Sequence, residues 1–224
     1  MKPLFVSDMF VLFNVNYITD FGRYKSRHII FNRISYGIAG AMLMDLMVYK
    51  KIDVIGHRLR IIDRSSTNDP FLDETLNFLS RLVGDKKIKY YIERILHNGF
   101  LLFPLFMERL KYLRFMNITI IPMMIFGRSF PSFTIEYVNE EIKEAVENKL
   151  KEVLLGDHYV PNKAMWYLIS LLRATNRYRH IFGSEYKHQV KSRIKQLIID
   201  EPIGKSVLWR IREIEASEVG NSPS

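Results

Sequence analysis

The sequence predicts a mainly α-helical protein: a single compact domain of about nine helices with small β-hairpins, one of them protruding and apolar. Three observations carry this. Long stretches repeat apolar residues at three- and four-residue spacing, as in "NEEIKEAVENKLKEVLL". Helix boundaries carry capping chemistry, most clearly at Asp69-Pro70. Strand-like runs are confined to two short places, each built around a turn, at Gly56-His57 and Gly127-Arg128.

Taken in order, Ser7 is expected to cap a short apolar helix, "DMFVLFNV", and Asp20-Phe21-Gly22 reads as a turn. A helix spans 33–51, with Ile38, Met42, Asp45 and Tyr49 on one face. Gly37 and Gly40 are costly inside a helix, so they mark close approach of another element. "KIDVI" and "RLRIID" form a hairpin. Asp69 caps the next helix, Pro70 suits its first position, and Asp73 and Glu74 complement its dipole. Helices follow at 86–97 and 100–116, with Asn117 as the stop. The stretch "ITIIPMMIFGRSFPSFTI" is the second hairpin, and Pro122 makes its strand an edge. An amphipathic helix then runs to Gly156, Pro161 opens another, a third begins at Ser184, and "KSVLWRIREIEAS" closes the fold. The domain is expected to occupy 1–219, with 220–224 a flexible tail.

The composition is that of a globular chain, with 48% hydrophobic and 25% charged residues, so a sizeable core is expected. The net charge of +9 favours acidic partners, either nucleic acid or an anionic membrane face. Cysteine is absent, which excludes disulfides, thiolate metal sites and a cysteine nucleophile. Asp8 interrupts the apolar run that a signal peptide would need, so a cytoplasmic location is expected. The most apolar stretch, "GFLLFPLFM", is far shorter than the ~20 residues of a membrane helix. The chain is therefore expected to lie on a membrane rather than cross it.

No catalytic residue, metal site or cofactor is expected. None of the six histidines has the spacing of a zinc protease. "IGKS" at 203–206 resembles the end of a phosphate loop, but Ile199 stands where that loop needs glycine. Helix capping accounts for the cluster Asp69, Asp73 and Glu74. Basic residues concentrate in 22–33, 109–114 and 173–195, the last holding Arg173, Arg177, Arg179, Lys187, Lys191, Arg193 and Lys195 against Glu185 alone.

These stretches together resemble the Golgi phosphoprotein 3 family. The matching pieces are "YGIAGAMLMDLMVYKKID", "STNDPFLDETL", "GDHYVPNKAMWYLISLLRAT", "SEYKHQVKSRIKQLI" and "KSVLW", in order over roughly residues 5–212. The resemblance implies a mostly helical fold with a protruding apolar hairpin. It also implies a non-catalytic peripheral membrane adaptor, on the Golgi if the source is eukaryotic. Implied partners are anionic lipid, phosphatidylinositol 4-phosphate among them, protein cargo, and a second copy meeting through the hairpin. The tryptophan and arginine of the family's head-group pocket fall on Ile30 and Ala39. Two further arginines fall on Pro104 and Met107, or on Phe103 and Phe106 in the adjacent register. All are apolar here, so charge-driven binding with little head-group preference is expected. Arg33, Arg109, Lys111 and Arg114 are the candidate lipid contacts. Met123, Met124, Ile125 and Phe126 are the candidate membrane-inserting or self-associating tip.

A rival reading takes helix plus hairpin as a winged-helix nucleic-acid binder, with Lys51, Arg58 and Arg60 on the wing. The helix before that wing carries few basic residues, which ranks nucleic acid below lipid.

Overall fold

The computed structural model describes residues 4–14, 28–82, 84–97, 99–125, 128–156, 160–197 and 201–220, with backbone alone at 28–32, 99–101, 103–104, 118–137 and 218–220. The expected turn at Asp20-Phe21-Gly22, residue Phe126 and the tail from 221 lie outside the described residues. The order is α1 (Val6–Leu12), α2 (His28–Val48), β1 (Ile52–Ile55), β2 (Arg58–Ile61), α3 (Pro70–Ser80), α4 (Ile88–His97), α5 (Gly99–Tyr112), β3 (Met116–Ile125), β4 (Arg128–Val138), α6 (Glu140–Leu155), α7 (Lys163–Ala174), α8 (Tyr178–Phe182), α9 (Lys187–Leu197) and α10 (Pro202–Gly220). The mainly α class and its two small antiparallel hairpins are as expected.

Helix α2 is the centre of the fold. It is apolar on nearly every side, and Ile34, Ala39, Leu43, Met44 and Leu46 are buried. A helix of that kind has no face to offer water, so it must be surrounded. Helices α1, α3, α4, α7 and α10 all pack on it. The two glycines are notches. A side chain at Gly37 would collide with the ring of Phe10 from α1. One at Gly40 would lie 2.7 Å from Val207 Cγ2 of α10 and 3.0 Å from Leu171 Cδ2 of α7. Helix α2 ends at Val48, short of the expected Lys51. Lys50 turns left-handed (φ 55°), and the Lys51 amide reaches back to the Leu46 carbonyl at 2.9 Å.

The other boundaries follow their caps. Ser7 does not cap α1. Asp45, from the last turn of α2, accepts the amides of Val6 at 2.6 Å and Ser7 at 3.1 Å instead. Asp69 caps α3 as expected, accepting from Phe71 at 3.1 Å and Leu72 at 3.3 Å. Asn162 rather than Pro161 sets the start of α7, its side chain accepting from Met165 at 2.9 Å. Glu201 caps α10, accepting the Ile203 amide at 2.9 Å and the Gly204 amide, while the Ser170 hydroxyl donates to it at 2.9 Å. Among the described residues there is a tenth helix beyond the about nine expected, α8. At five residues it is too short to show a period.

Two of the three cations of the wing reading are paired with carboxylates. Lys51 is buried and paired with Asp63 at 2.6 Å. Arg60 pairs with Asp85 at 3.0 Å, and Arg58 donates to the Asp85 carbonyl at 2.7 Å. In the basic segment 173–195, Arg177 is buried and donates to Asn14 at 2.7 Å. Lys187, Lys191 and Lys195 are the solvated side of α9, whose other side buries Val190 and Ile194.

Candidate functional site

The corner where α5 gives way to β3 carries two of the four predicted basic contacts and the root of the predicted hairpin. Its shape starts one turn earlier, at Arg109. This side chain is buried, 8% exposed. Its Nε and Nη2 donate to the two carboxylate oxygens of Asp8 at 3.2 and 3.0 Å, and Nη1 donates to Asp69. The guanidinium lies 3.5 Å from the ring centroid of Phe5, stacked as a delocalised cation on an aromatic face. Asp8 also accepts the Phe5 amide at 2.9 Å, and Asp69 caps α3. One arginine therefore ties α5 to the first turns of both α1 and α3.

Three carboxyls share this interior with one arginine. Burial pushes Asp8 upward, against the pull of Arg109. Asp45 is pushed up to about 8 by burial, with the Asp8 charge adding to it. At neutral pH Asp45 is thus mostly an uncharged cap for α1.

Beyond Arg109 the chain turns sharply. The amides of Leu113, Arg114 and Phe115 close on the carbonyls of Arg109, Lys111 and Leu110 at 2.9, 2.9 and 3.0 Å. Arg114 takes the left-handed conformation, φ 55°, and ends the helix. The expected stop, Asn117, already belongs to β3. The reversal sends Phe115 and Met116 into the core. Lys111, Tyr112 and Arg114 remain exposed, Tyr112 at 76%. The Asn139 amide donates to the Phe115 carbonyl at 2.8 Å, which fastens the far end of the hairpin to the same corner.

The hairpin is a ladder of ten residue pairs with one irregularity at Asn117/Ile118. Pro122 stands opposite Pro131, and both strands are edges of a two-stranded sheet, as the proline requires. Met123, Met124 and Ile125 pair with Phe130, Ser129 and Arg128 in the last rungs. Their side chains, and Phe126 entirely, lie outside what is described.

The structure therefore joins Lys111 and Arg114 with the hairpin root, but not Arg33 or Arg109. Arg33, near the start of α2, is paired with Glu215 of α10 at 2.6 Å. Of the positions matching the family's head-group residues, Ala39, Phe106 and Met107 are buried in the core. Tyr112 lies within the basic segment 109–114, yet the sequence does not single it out. A lone tyrosine between charges carries no signal until its exposure is known. Among the described residues no three metal-ligating side chains cluster, and no helix is long and apolar enough to cross a membrane.

The family model described as Golgi phosphoprotein 3 (GPP34) matches residues 23–214, which includes this corner and the whole hairpin. No curated protein matches the chain.

Proposed function

The chain belongs to the Golgi phosphoprotein 3 family, and from that premise we propose that it is a non-catalytic peripheral membrane adaptor that meets anionic lipid at the α5–β3 corner. The observation that carries this reading is the exposure of Lys111, Tyr112 and Arg114 together at the root of the apolar hairpin. Two cations beside an amphipathic ring suit the head-group layer, where charge and a half-polar aromatic are both satisfied. The hairpin sequence that follows, "ITIIPMMIF", supplies apolar residues to go deeper. Buried Arg109 supports the reading by holding the corner rigid, so lipid contact need not order it first. Protein cargo and a second copy meeting through the hairpin belong to the same proposal.

Co-sedimentation with liposomes tests it. Binding should appear with phosphatidylserine-containing vesicles, be weak with neutral ones, and fade as salt rises. It should show little extra preference for phosphatidylinositol 4-phosphate at matched charge. Lys111→Glu with Arg114→Glu should abolish it, and Met124→Asp should reduce it with the fold intact. Unaltered binding by both variants would end this proposal.

A further inference from the structure

A groove of about 480 Å³ opens where α1, the end of α2, α6 and the start of α7 meet. That volume falls within the ~300–1,000 Å³ typical of small-molecule sites. Most of its wall is apolar, with Met9 from α1, Val48 from α2 and Met165 from α7. Packing within the chain leaves this lining unfinished: Leu4, Val48 and Ala164, all in the wall, are only half-buried.

Polar groups in the wall are few, and those with free capacity are donors. Lys149 of α6 and Asn162, the cap of α7, are exposed and so stand at the mouth. Among the described residues Lys149 is paired with no carboxylate, and the Tyr49 hydroxyl makes no hydrogen bond. The Asn162 carbonyl oxygen is taken by the Met165 amide at 2.9 Å, which leaves its NH2 group to donate. Tyr49 is steadied edge-on by the Phe5 ring, 5.4 Å between centroids, and burial pushes its phenol upward, so it stays a donor. Among the described residues Asp45 is the one acid in the wall. Both of its oxygens are occupied by the Val6 and Ser7 amides, and burial keeps it mostly uncharged at neutral pH.

We propose that this groove binds a fatty acid, its alkyl chain along the apolar wall and its carboxylate at Lys149. One unpaired cation beside neutral donors matches a single negative charge. The mostly uncharged Asp45 leaves the interior open to an alkyl chain. A cationic amphiphile would meet the same donors and find no free acceptor. The site uses neither Lys111 nor Arg114 and stands apart from the α5–β3 corner.

Calorimetry on the full chain tests this with decanoate below its micellar concentration, beside decanol and decyltrimethylammonium. Saturable binding of decanoate is expected, roughly tenfold or more tighter than decanol, with no binding of the cationic amphiphile. Lys149→Gln should weaken decanoate by about tenfold and leave decanol unchanged. Ala145→Trp, at an exposed position in the wall, should block both ligands with unchanged circular dichroism. Methyl-labelled methionine spectra of the unaltered chain locate the ligand without any substitution. Decanoate should shift the Met9 and Met165 methyls and leave Met44, buried outside the groove, in place. Lys111→Glu with Arg114→Glu should bind decanoate as the parent does, which separates this site from the membrane corner. Equal affinity for decanol, decanoate binding that ignores Lys149→Gln or Ala145→Trp, or unshifted Met9 and Met165 methyls overturns the proposal.

Discussion

Arg109 grips Asp8 with two nitrogens, at 3.2 and 3.0 Å, in a place closed to water. A buried pair of this kind contributes little relative to a well-packed apolar replacement, but breaking it is severe, because the surviving charge is stranded. Arg109→Ala should therefore cost about 3–5 kcal/mol in urea unfolding. The triple change Asp8→Asn, Asp69→Asn and Arg109→Met should cost less than Arg109→Ala alone. It leaves no charge unpaired, and the side-chain amide placed at position 69 can still cap α3. A fully stable Arg109→Ala that loses vesicle binding would return Arg109 to the surface role first expected of it.

Asp45 sets a pH dependence. Its carboxyl is pushed up to about 8 in the folded chain, against about 4 when unfolded. Between those values the folded state holds a proton that the unfolded state has released. Stability therefore falls as pH rises from about 4 to about 8. Burial moves Asp8 the same way. Asp45→Asn cannot ionise, but it keeps an acceptor for only one of the two amides, Val6 on Oδ1 and Ser7 on Oδ2, and sets its NH2 against the other. It should cost about 1–3 kcal/mol at neutral pH and show a shallower slope in thermal scans from pH 4 to 8. An unchanged slope would rule out Asp45 as its source.

Arg114→Gly should move stability and binding in opposite directions. The left-handed backbone at Arg114 is costly for a residue with a Cβ. Glycine relieves that cost while gaining freedom in the unfolded chain, for a net gain of roughly 0.5–1 kcal/mol. Loss of the charge should weaken anionic vesicle binding by about 1 kcal/mol. Urea titration and co-sedimentation on one preparation measure both.

Gly40→Leu tests the packing of α2. With Val207 and Leu171 already within 2.7–3.0 Å of the position a Cβ would take, overpacking should cost about 1–3 kcal/mol. A thermal midpoint equal to the parent's would show that α10 can yield.

What could be read in advance was what the chain writes locally. Asp69-Pro70 is a cap and a first helical position side by side. Gly37 and Gly40 are unusual within their own helix, so the close approach of α1, α7 and α10 was legible without knowing which elements approach. The site was less so. Arg109 looked like a surface cation because its partners stand 101 and 40 residues away. The ion pair of Arg33 was hidden in the same way, with Glu215 at a separation of 182. The turn after α5 was misplaced because a left-handed arginine, unlike glycine, leaves no compositional mark. Asp45 displaced Ser7 as a cap because a long-range carboxylate can do the work of a local hydroxyl.

Helix α1 is part of the folding unit. It precedes residue 23, where the family match begins, yet it supplies the carboxylate for Arg109, the ring that fills the Gly37 notch and the amides that Asp45 caps. A fragment trimmed to 23–214 would leave Arg109 with Asp69 alone, an empty slot in the central helix and a buried acid without the amides it caps. The sequence-defined boundary and the thermodynamic boundary of this protein are different places, and residues 4–14 belong inside the second.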